Sequence, residues 1–561
     1  MQRHACLFEA KSIQDYILRS GRLRHIVGAS ELIDALTRRL LDDVLFALGL
    51  DEGQIVFSRR AGGAVYAFSA DKDALDAFRD LWTLVVSQYA PGLEFLIAQG
   101  EGDTDYHAYR AALQQLQVGR NRQPAALPAG TPVTRYAPRT GRPAIASGKG
   151  GLLDAATACF EREAQRDRPQ GLAWRFDPNS RNDDWPRNLE FSPEPQGSAF
   201  PFTGDNRYLG LIHADGNGLG QLLMKLGDHV QSDPASFTTL FARFSAAIEQ
   251  ATQAAAREAT RQILEPQRRA QPAPAGQPQT RVYPARPIVL GGDDLTILVR
   301  ADLALPFTEA FLLAFERFSG EELTRMRQEF PGLKGLPQTL TAGAGIAFVK
   351  SNHPFYLAHE LAESIARYAK DQAKQHRSET GRIPPSLCFH RVTTASHGDY
   401  SDVRERELTF SAGPEAYITS LGAYSLDPPW SGSPPGGLPA LADLSALAGL
   451  LGQDRMARGP ARQLLTLIGQ DLDDARRRYA RWREVMRTRD AGGLEAMLSQ
   501  LETLCGGLEE HLPVVRLRPA TTSERPLFAT PLGDVATWLA ITNRVEAAGM
   551  NQPDDRSEDR P

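Results

Sequence analysis

Two short stretches concentrate the chemistry-bearing residues: Asp215-Gly216-Asn217-Gly218 and Gly291-Gly292-Asp293-Asp294. Carboxylates are hard oxygen ligands that suit Mg²⁺ or Mn²⁺. Two such ions, about 3.5–4 Å apart, stabilise both the attacking and the leaving oxygen of a displacement at phosphorus. The glycines fit the same chemistry. Gly216, Gly218 and Gly220 leave room for a triphosphate near a helix N-terminus, where free N–H groups attract anions. Gly291 and Gly292 let a nucleotide approach a hairpin backbone closely. Lys370 and Lys374 stand one helical turn apart, and either could reach a phosphate. Each motif alone is an ordinary turn. Paired, and each at a strand end, they point to nucleotidyl transfer, with Asp215, Asp293 and Asp294 as the metal-holding catalytic residues and the Gly216 backbone beside them.

The flanking sequence supplies the elements that must position them. YLGLIHAD from Tyr208 reads as a strand, and GLGQLLMKL starts a helix. A longer helix is predicted over 235–264, and the Pro- and Gln-rich residues 265–287 read as a mobile loop. Strand, GGDD turn and strand follow, then a helix at 306–329, a strand at 339–348 and a helix at 355–375. This is the β-α-β-β-α-β order of a ferredoxin-like palm, in which the strands carrying Asp215 and the acidic pair are neighbours.

The same order occurs earlier. A strand at 4–10 is followed by helical sequence from Ile13 and a second run over 29–48. A strand, the Gly62-Gly63 turn and a strand come next, then a helix at 73–89, a strand at 93–98 and a helix at 106–118. Residues 9–14 correspond in position to 215–220, and Gly62-Gly63-Ala64-Val65 to Gly291-Gly292-Asp293-Asp294. The first copy lacks the acidic pair, so it should hold no catalytic metal.

The expected fold class is therefore α+β: two ferredoxin-like palms with an irregular insert and a helical C-terminal domain. The boundaries are 1–121, 122–204 (with one helix near 151–165), 205–400 and 401–545, followed by a polar tail, 546–561, expected to be disordered. A chain of 561 residues exceeds the roughly 250–300 that one core supports. The formal net charge of −5 excludes a polycation, so any RNA contact must use a local basic surface. The basic run 475–489 reads better as a solvated helix face. Four scattered cysteines argue against a disulfide framework and give no zinc signature. With neither a signal-peptide pattern nor a membrane-length apolar run, a cytoplasmic protein without membrane contact is expected.

These residues resemble the large polymerase-cyclase subunit of type III CRISPR effector complexes. The resemblance rests on the GGDD hairpin, the strand ending in Asp215-Gly216-Asn217-Gly218, and AGAGIAF followed by LAHELAESIARYAKDQAK. FEAKSIQDYI and LRHIVGASELI resemble that family's degenerate first palm, and RGPARQLL its helical end domain. The resemblance implies cyclic oligoadenylate made from ATP with two Mg²⁺ or Mn²⁺ ions, and RNA and RNA-binding effector subunits as partners. The degenerate palm around Gly62 and Gly63 would help house a second nucleotide. Three departures stand out. No His-Asp dipeptide or preceding domain is present, so no DNase is expected. Asn217 stands where the family often has a second carboxylate. Residues 133–144 resemble the family's zinc knuckle without its cysteines, so no zinc is expected. The other classes open to the sequence are a non-catalytic RNA-binding scaffold, and a different palm enzyme: a cyclic dinucleotide synthase or a template-dependent polymerase.

Overall fold

The computed structural model describes residues 2–51, 53–120, 130–148, 150–166, 171–190, 198–203, 207–271, 280–333, 335–394, 398–427, 438–452, 458–518 and 525–549. The first palm opens with β1 (Arg3–Lys11), α1 (Ile13–Leu18), α2 (Leu23–Leu36) and α3 (Arg39–Leu48). The helical run expected over 29–48 belongs to two helices, parted where Arg38 takes φ −123° and ψ −105°. Then come β2 (Val56–Ala61), β3 (Ala64–Ser69), α4 (Lys72–Tyr89), β4 (Glu94–Gly102) and α5 (Asp105–Gly119). α4 starts where the Asp71 carboxylate accepts the N–H groups of Asp73 and Ala74. It buries Leu75, Phe78, Trp82 and Val86 along one face. The sheet order is β2-β3-β1-β4, antiparallel and ferredoxin-like.

The insert holds a small hairpin, β5 (Ala146–Gly148) and β6 (Gly151–Leu153), followed by α6 (Ala155–Gln165) and α7 (Leu172–Phe176). The helix expected near 151–165 is α6; α7 is an addition, too short to show a helical period in the sequence.

The second palm contains β7 (Tyr208–Gly216), α8 (Leu219–Ser232), α9 (Phe237–Ala259), β8 (Arg269–Ala270), β9 (Arg281–Val282), β10 (Ala285–Gly291), β11 (Asp294–Arg300), α10 (Ala301–Glu329), β12 (Ala342–Lys350), α11 (Phe355–Lys374) and β13 (Ser386–Arg391). The stretch expected as a mobile loop, 265–287, is in part ordered: β8 pairs with β9, and β10 begins inside it. Residues 272–279 of that expected loop lie outside the described residues. The chain continues with α12 (Tyr400–Val403), β14 (Thr409–Ala412), β15 (Glu415–Ile418) and β16 (Ala423–Ser425). The palm sheet runs β10-β11-β7-β12-β13-β16, so it extends past the boundary expected at 400.

The C-terminal part has α13 (Leu441–Gly452), α14 (Arg458–Gln470), α15 (Leu472–Arg489), α16 (Ala491–Cys505), β17 (Val515–Arg518), β18 (Leu527–Ala529) and α17 (Leu532–Gly549). The helices match the expectation of a mainly helical domain. The sheet β14-β15-β18-β17 does not: its strands, three or four residues each, are too short to show an alternating pattern. The expected disordered tail falls on the end of α17 and on 550–561, which lie outside the described residues.

The palms share a core. Phe237 at the head of α9 packs against Phe68, Tyr106 and Tyr109 of the first palm, with ring centroids 5.7, 5.7 and 4.9 Å apart. The Asp105 carboxylate accepts hydrogen bonds from Arg3 and from Thr238, tying the two palms together. Among the described residues, no helix is long and apolar enough to cross a membrane.

Candidate metal centre and nucleotide cleft

Strand pairing brings the three acids together. β11 and β12 flank β7 on either side, and Gly343 lies opposite Asp215. The pleat sends side chains two residues apart to one face. His213 and Asp215 therefore share a face with Thr296 and Asp294, and His213 Nδ1 lies 3.2 Å from Thr296 Oγ1. Asp293 sits in the turn, and its carboxylate accepts the Gly216 N–H at 3.2 Å. Ligand oxygens of Asp215, Asp293 and Asp294 lie within 4.8 Å of one another. All three residues are half-buried.

The crowding shows in their acidities. Burial pushes Asp293 up to about 6, reinforced by its hydrogen bond with Asp215 and that residue's charge. Asp294 is held well above the usual carboxylate range by burial, then by the charges of Asp293 and Asp215. For Asp215, burial acts upward but the Lys370 ammonium and the Asp293 hydrogen bond outweigh it, leaving it below its ordinary value. Oxygen-only ligands carrying surplus negative charge fit a hard divalent cation. Among the described residues this is the only cluster of its kind.

Lys370 Nζ bonds to the Asp215 carboxylate and donates to the Gly216 carbonyl at 2.8 Å. Its reach depends on a residue the sequence reading passed over. A Cβ at Gly343 would lie 2.4 Å from Lys370 Cγ, so glycine there opens the path for the lysine stem. Glycines two apart in a buried strand, Gly343 and Gly345 under α11, were the available signal. Lys374 pairs with Asp371 at 2.7 Å on the rim of the same cleft, which His213, Arg367 and Asp215 also line. Burial and the neighbouring His359 push His213 down to about 4, so it is neutral at pH 7. Asn217 is buried and anchors the loop instead of meeting the acids: its amide donates to Thr341 Oγ1 at 3.0 Å and its N–H to Thr341 O at 2.8 Å. Gly218 opens α8 in the left-handed region, with φ 74°.

The degenerate palm faces this centre. A Cβ at Gly291 would lie 3.7 Å from Gly62 Cα, so the two Gly-Gly turns meet. Beside them runs a cleft of about 250 Å³, lined from one side by Ser12, Gly62 and Gly63 and from the other by Gly291 and Asp294. The duplication extends to backbone geometry. Ser12, the counterpart of Gly218, takes φ 47° and ψ 43°, and among the described residues it is the one non-glycine with positive φ. Gly292 likewise has φ 60°, as a tight hairpin turn requires.

Residues 208–378 match the family described as Cas10/Cmr2, second palm domain. Over that segment the chain is similar to a Cas10/Cmr2 second palm. The match spans β7 through α11 and includes Asp215, the GGDD turn and Lys370, so the family resemblance read from the sequence holds over the segment bearing the acids. Solved structures similar to this Cas10-like chain include the Csm1-Csm4 cassette in complex with cA4, at 14% identity over 97% of this chain and 70% of that chain, with a TM-score of 0.49. The cassette in complex with pppApA is similar at 13% identity, over 97% and 69% of the two chains, with a TM-score of 0.49. Csm1 in T. onnurineus is similar at 14% identity, over 97% and 70%, with a TM-score of 0.48. No curated protein matches the sequence.

Proposed function

We propose that this chain is a metal-dependent nucleotidyltransferase that joins ATP 3′ to 5′ into cyclic oligoadenylate. The observation that carries this reading is the convergence of Asp215, Asp293 and Asp294 beside a cleft walled by two palms. The Cas10/Cmr2 palm match over the same residues supports it.

Asp215, Asp293, Asp294 and the Gly216 carbonyl would hold Mg²⁺ or Mn²⁺. Such ions would neutralise the phosphate oxygens and lower the pKa of the attacking 3′-hydroxyl. The remaining work falls to the chain. Lys370 caps Asp215 and, with Lys374 and Arg367, lines the cleft where a triphosphate would lie. The glycine turns of both palms leave flat backbone against which two nucleotides can be set side by side. Holding acceptor and donor in one cleft replaces a bimolecular encounter with an oriented one. RNA, and RNA-binding subunits that carry it, are the partners this reading assigns as activators.

The test is a reaction of purified protein with each nucleoside triphosphate, Mg²⁺ or Mn²⁺, and RNA with its binding subunits, resolved by chromatography with mass spectrometry. Adenylate rings and pyrophosphate are expected. A template-dependent linear polymer would favour a polymerase, a GTP-only dinucleotide a dinucleotide synthase. No turnover from folded protein would leave a scaffold.

A further inference from the structure

The carbonyls on either side of Gly291 are gripped by side chains from outside the hairpin. Thr252 on α9, 1% exposed, places its hydroxyl 2.7 Å from Gly292 O. The same hydroxyl lies 2.9 Å from Ile248 O, so its single proton sits between two acceptors, the nearer being the turn. Arg175 on α7, 5% exposed, donates Nη1 to Leu290 O at 2.5 Å. That nitrogen also donates to Asp34 on α2 at 2.9 Å, and Nη2 donates to Glu249 on α9 at 2.7 Å. One guanidinium from the insert thus joins a first-palm helix, a second-palm helix and the strand that enters the acidic turn. Arg175 also lines the cleft between the palms.

A two-residue turn whose last residue and the next both carry carboxylates tends to splay, because like charges repel. Contacts to Leu290 O, on the strand that enters the turn, and to Gly292 O, within it, oppose that. We propose that Arg175 and Thr252 are positioning residues: together they fix the acidic turn against Asp215, and Arg175 couples the turn to the first palm through Asp34. This rests on the nucleotidyl-transfer reading for its kinetic consequence, but not for its effect on metal binding.

The variants are Thr252→Val, which is isosteric, and Arg175→Lys, which keeps the charge but cannot span three acceptors. Mn²⁺ affinity is read by electron paramagnetic resonance, and kcat and KM with ATP on the full chain with its partners. Each variant is expected to weaken Mn²⁺ binding about tenfold and to lower kcat by roughly 10–100-fold, the scale of an ångström's misplacement. For Thr252→Val, KM for ATP should stay within about twofold, and Thr252→Ser should restore both quantities. Should Arg175→Lys not fold, Thr252→Val carries the test. Unchanged Mn²⁺ affinity in folded variants overturns the proposal, as does an effect of Thr252→Val confined to KM. If the wild-type chain binds Mn²⁺ but makes no product, the nucleotidyl-transfer reading fails and the Mn²⁺ comparison still decides this one.

Discussion

Three carboxylates sharing a small space repel one another until something positive joins them. In this chain the Lys370 ammonium meets one of them, and burial and mutual charge make the other two bind their protons more tightly than free carboxylates do. Asp293→Ala with Asp294→Ala should therefore abolish product and leave the fold intact, since the change removes repulsion and no packed apolar surface. Mass-spectrometric product analysis and circular dichroism check this; turnover near wild type would refute the assignment. The raised pKa of Asp293 has a definite sign for stability. Asp293 titrates near 6 in the fold against an ordinary 3.8, so the folded form binds its proton more tightly. The resulting stabilisation is complete below about 3.8 and is lost as pH rises through about 6. In chelator, Asp293→Asn should match wild type in melting temperature near pH 4 and exceed it by pH 7. Mn²⁺ should raise the wild-type melting temperature more at pH 7 than at pH 5, because cation and proton compete for the same oxygens. A pH-independent difference between the two proteins would refute the shift.

At the scale of elements, two features store testable free energy. Ser12 holds a left-handed conformation at the junction of β1 and α1 without a capping hydrogen bond from its side chain. A side chain in that region costs roughly 1–2 kcal/mol. Ser12→Gly should raise the first unfolding midpoint in a calorimetric scan, by an amount on the order of 1 kcal/mol at most, since glycine also frees the unfolded chain. A lower midpoint would show that the hydroxyl makes a contact worth more than the strain. The other feature is Asp534, near the start of α17. It is buried and accepts hydrogen bonds from Leu421 N, at 2.9 Å, and Tyr424 OH, at 2.5 Å, which docks α17 on the edge of the palm sheet. Asp534→Ala leaves both donors buried and unmet, at a cost of about 1–3 kcal/mol each. Faster hydrogen exchange across 420–425 and α17 is expected, with Asp534→Asn intermediate.

For the whole molecule, the central question is whether the degenerate palm takes part. Ile33 lies on α2 in the first palm's wall of the inter-palm cleft. Ile33→Trp would push a bulkier side chain into the cleft from the first palm's side. If that palm houses the acceptor nucleotide, this variant should lose ring formation by at least tenfold while binding Mn²⁺ as wild type does. Equal ring formation by a folded variant would remove the first palm from the reaction. Calorimetric titration with a non-hydrolysable ATP analogue gives the same answer as stoichiometry: two sites in wild type, one in the variant.

Local chemistry made much of this legible before any coordinates. Alternating apolar strands, Gly-Gly turns and amphipathic helices spell β-α-β-β-α-β twice. Since that order fixes which strands are neighbours, it also placed Asp215 beside the acidic pair. The loss of acids at Ala64 and Val65 is likewise a matter of residue type alone. What the sequence could not decide depends on contacts between distant segments. That the two Gly-Gly turns face each other, that Lys370 crosses over Gly343, and that Asn217 turns inward to Thr341 are outcomes of packing, which leaves no period in a single chain. The three- and four-residue strands of the C-terminal sheet escaped for the same reason: at that length the pairing partner, and not the pattern, determines the structure. Arg175 is the clearest case. In sequence it is one arginine in a polar insert; in the fold it touches both palms and the strand leading to the metal turn, because a guanidinium taken out of water needs acceptors wherever the packed chain provides them.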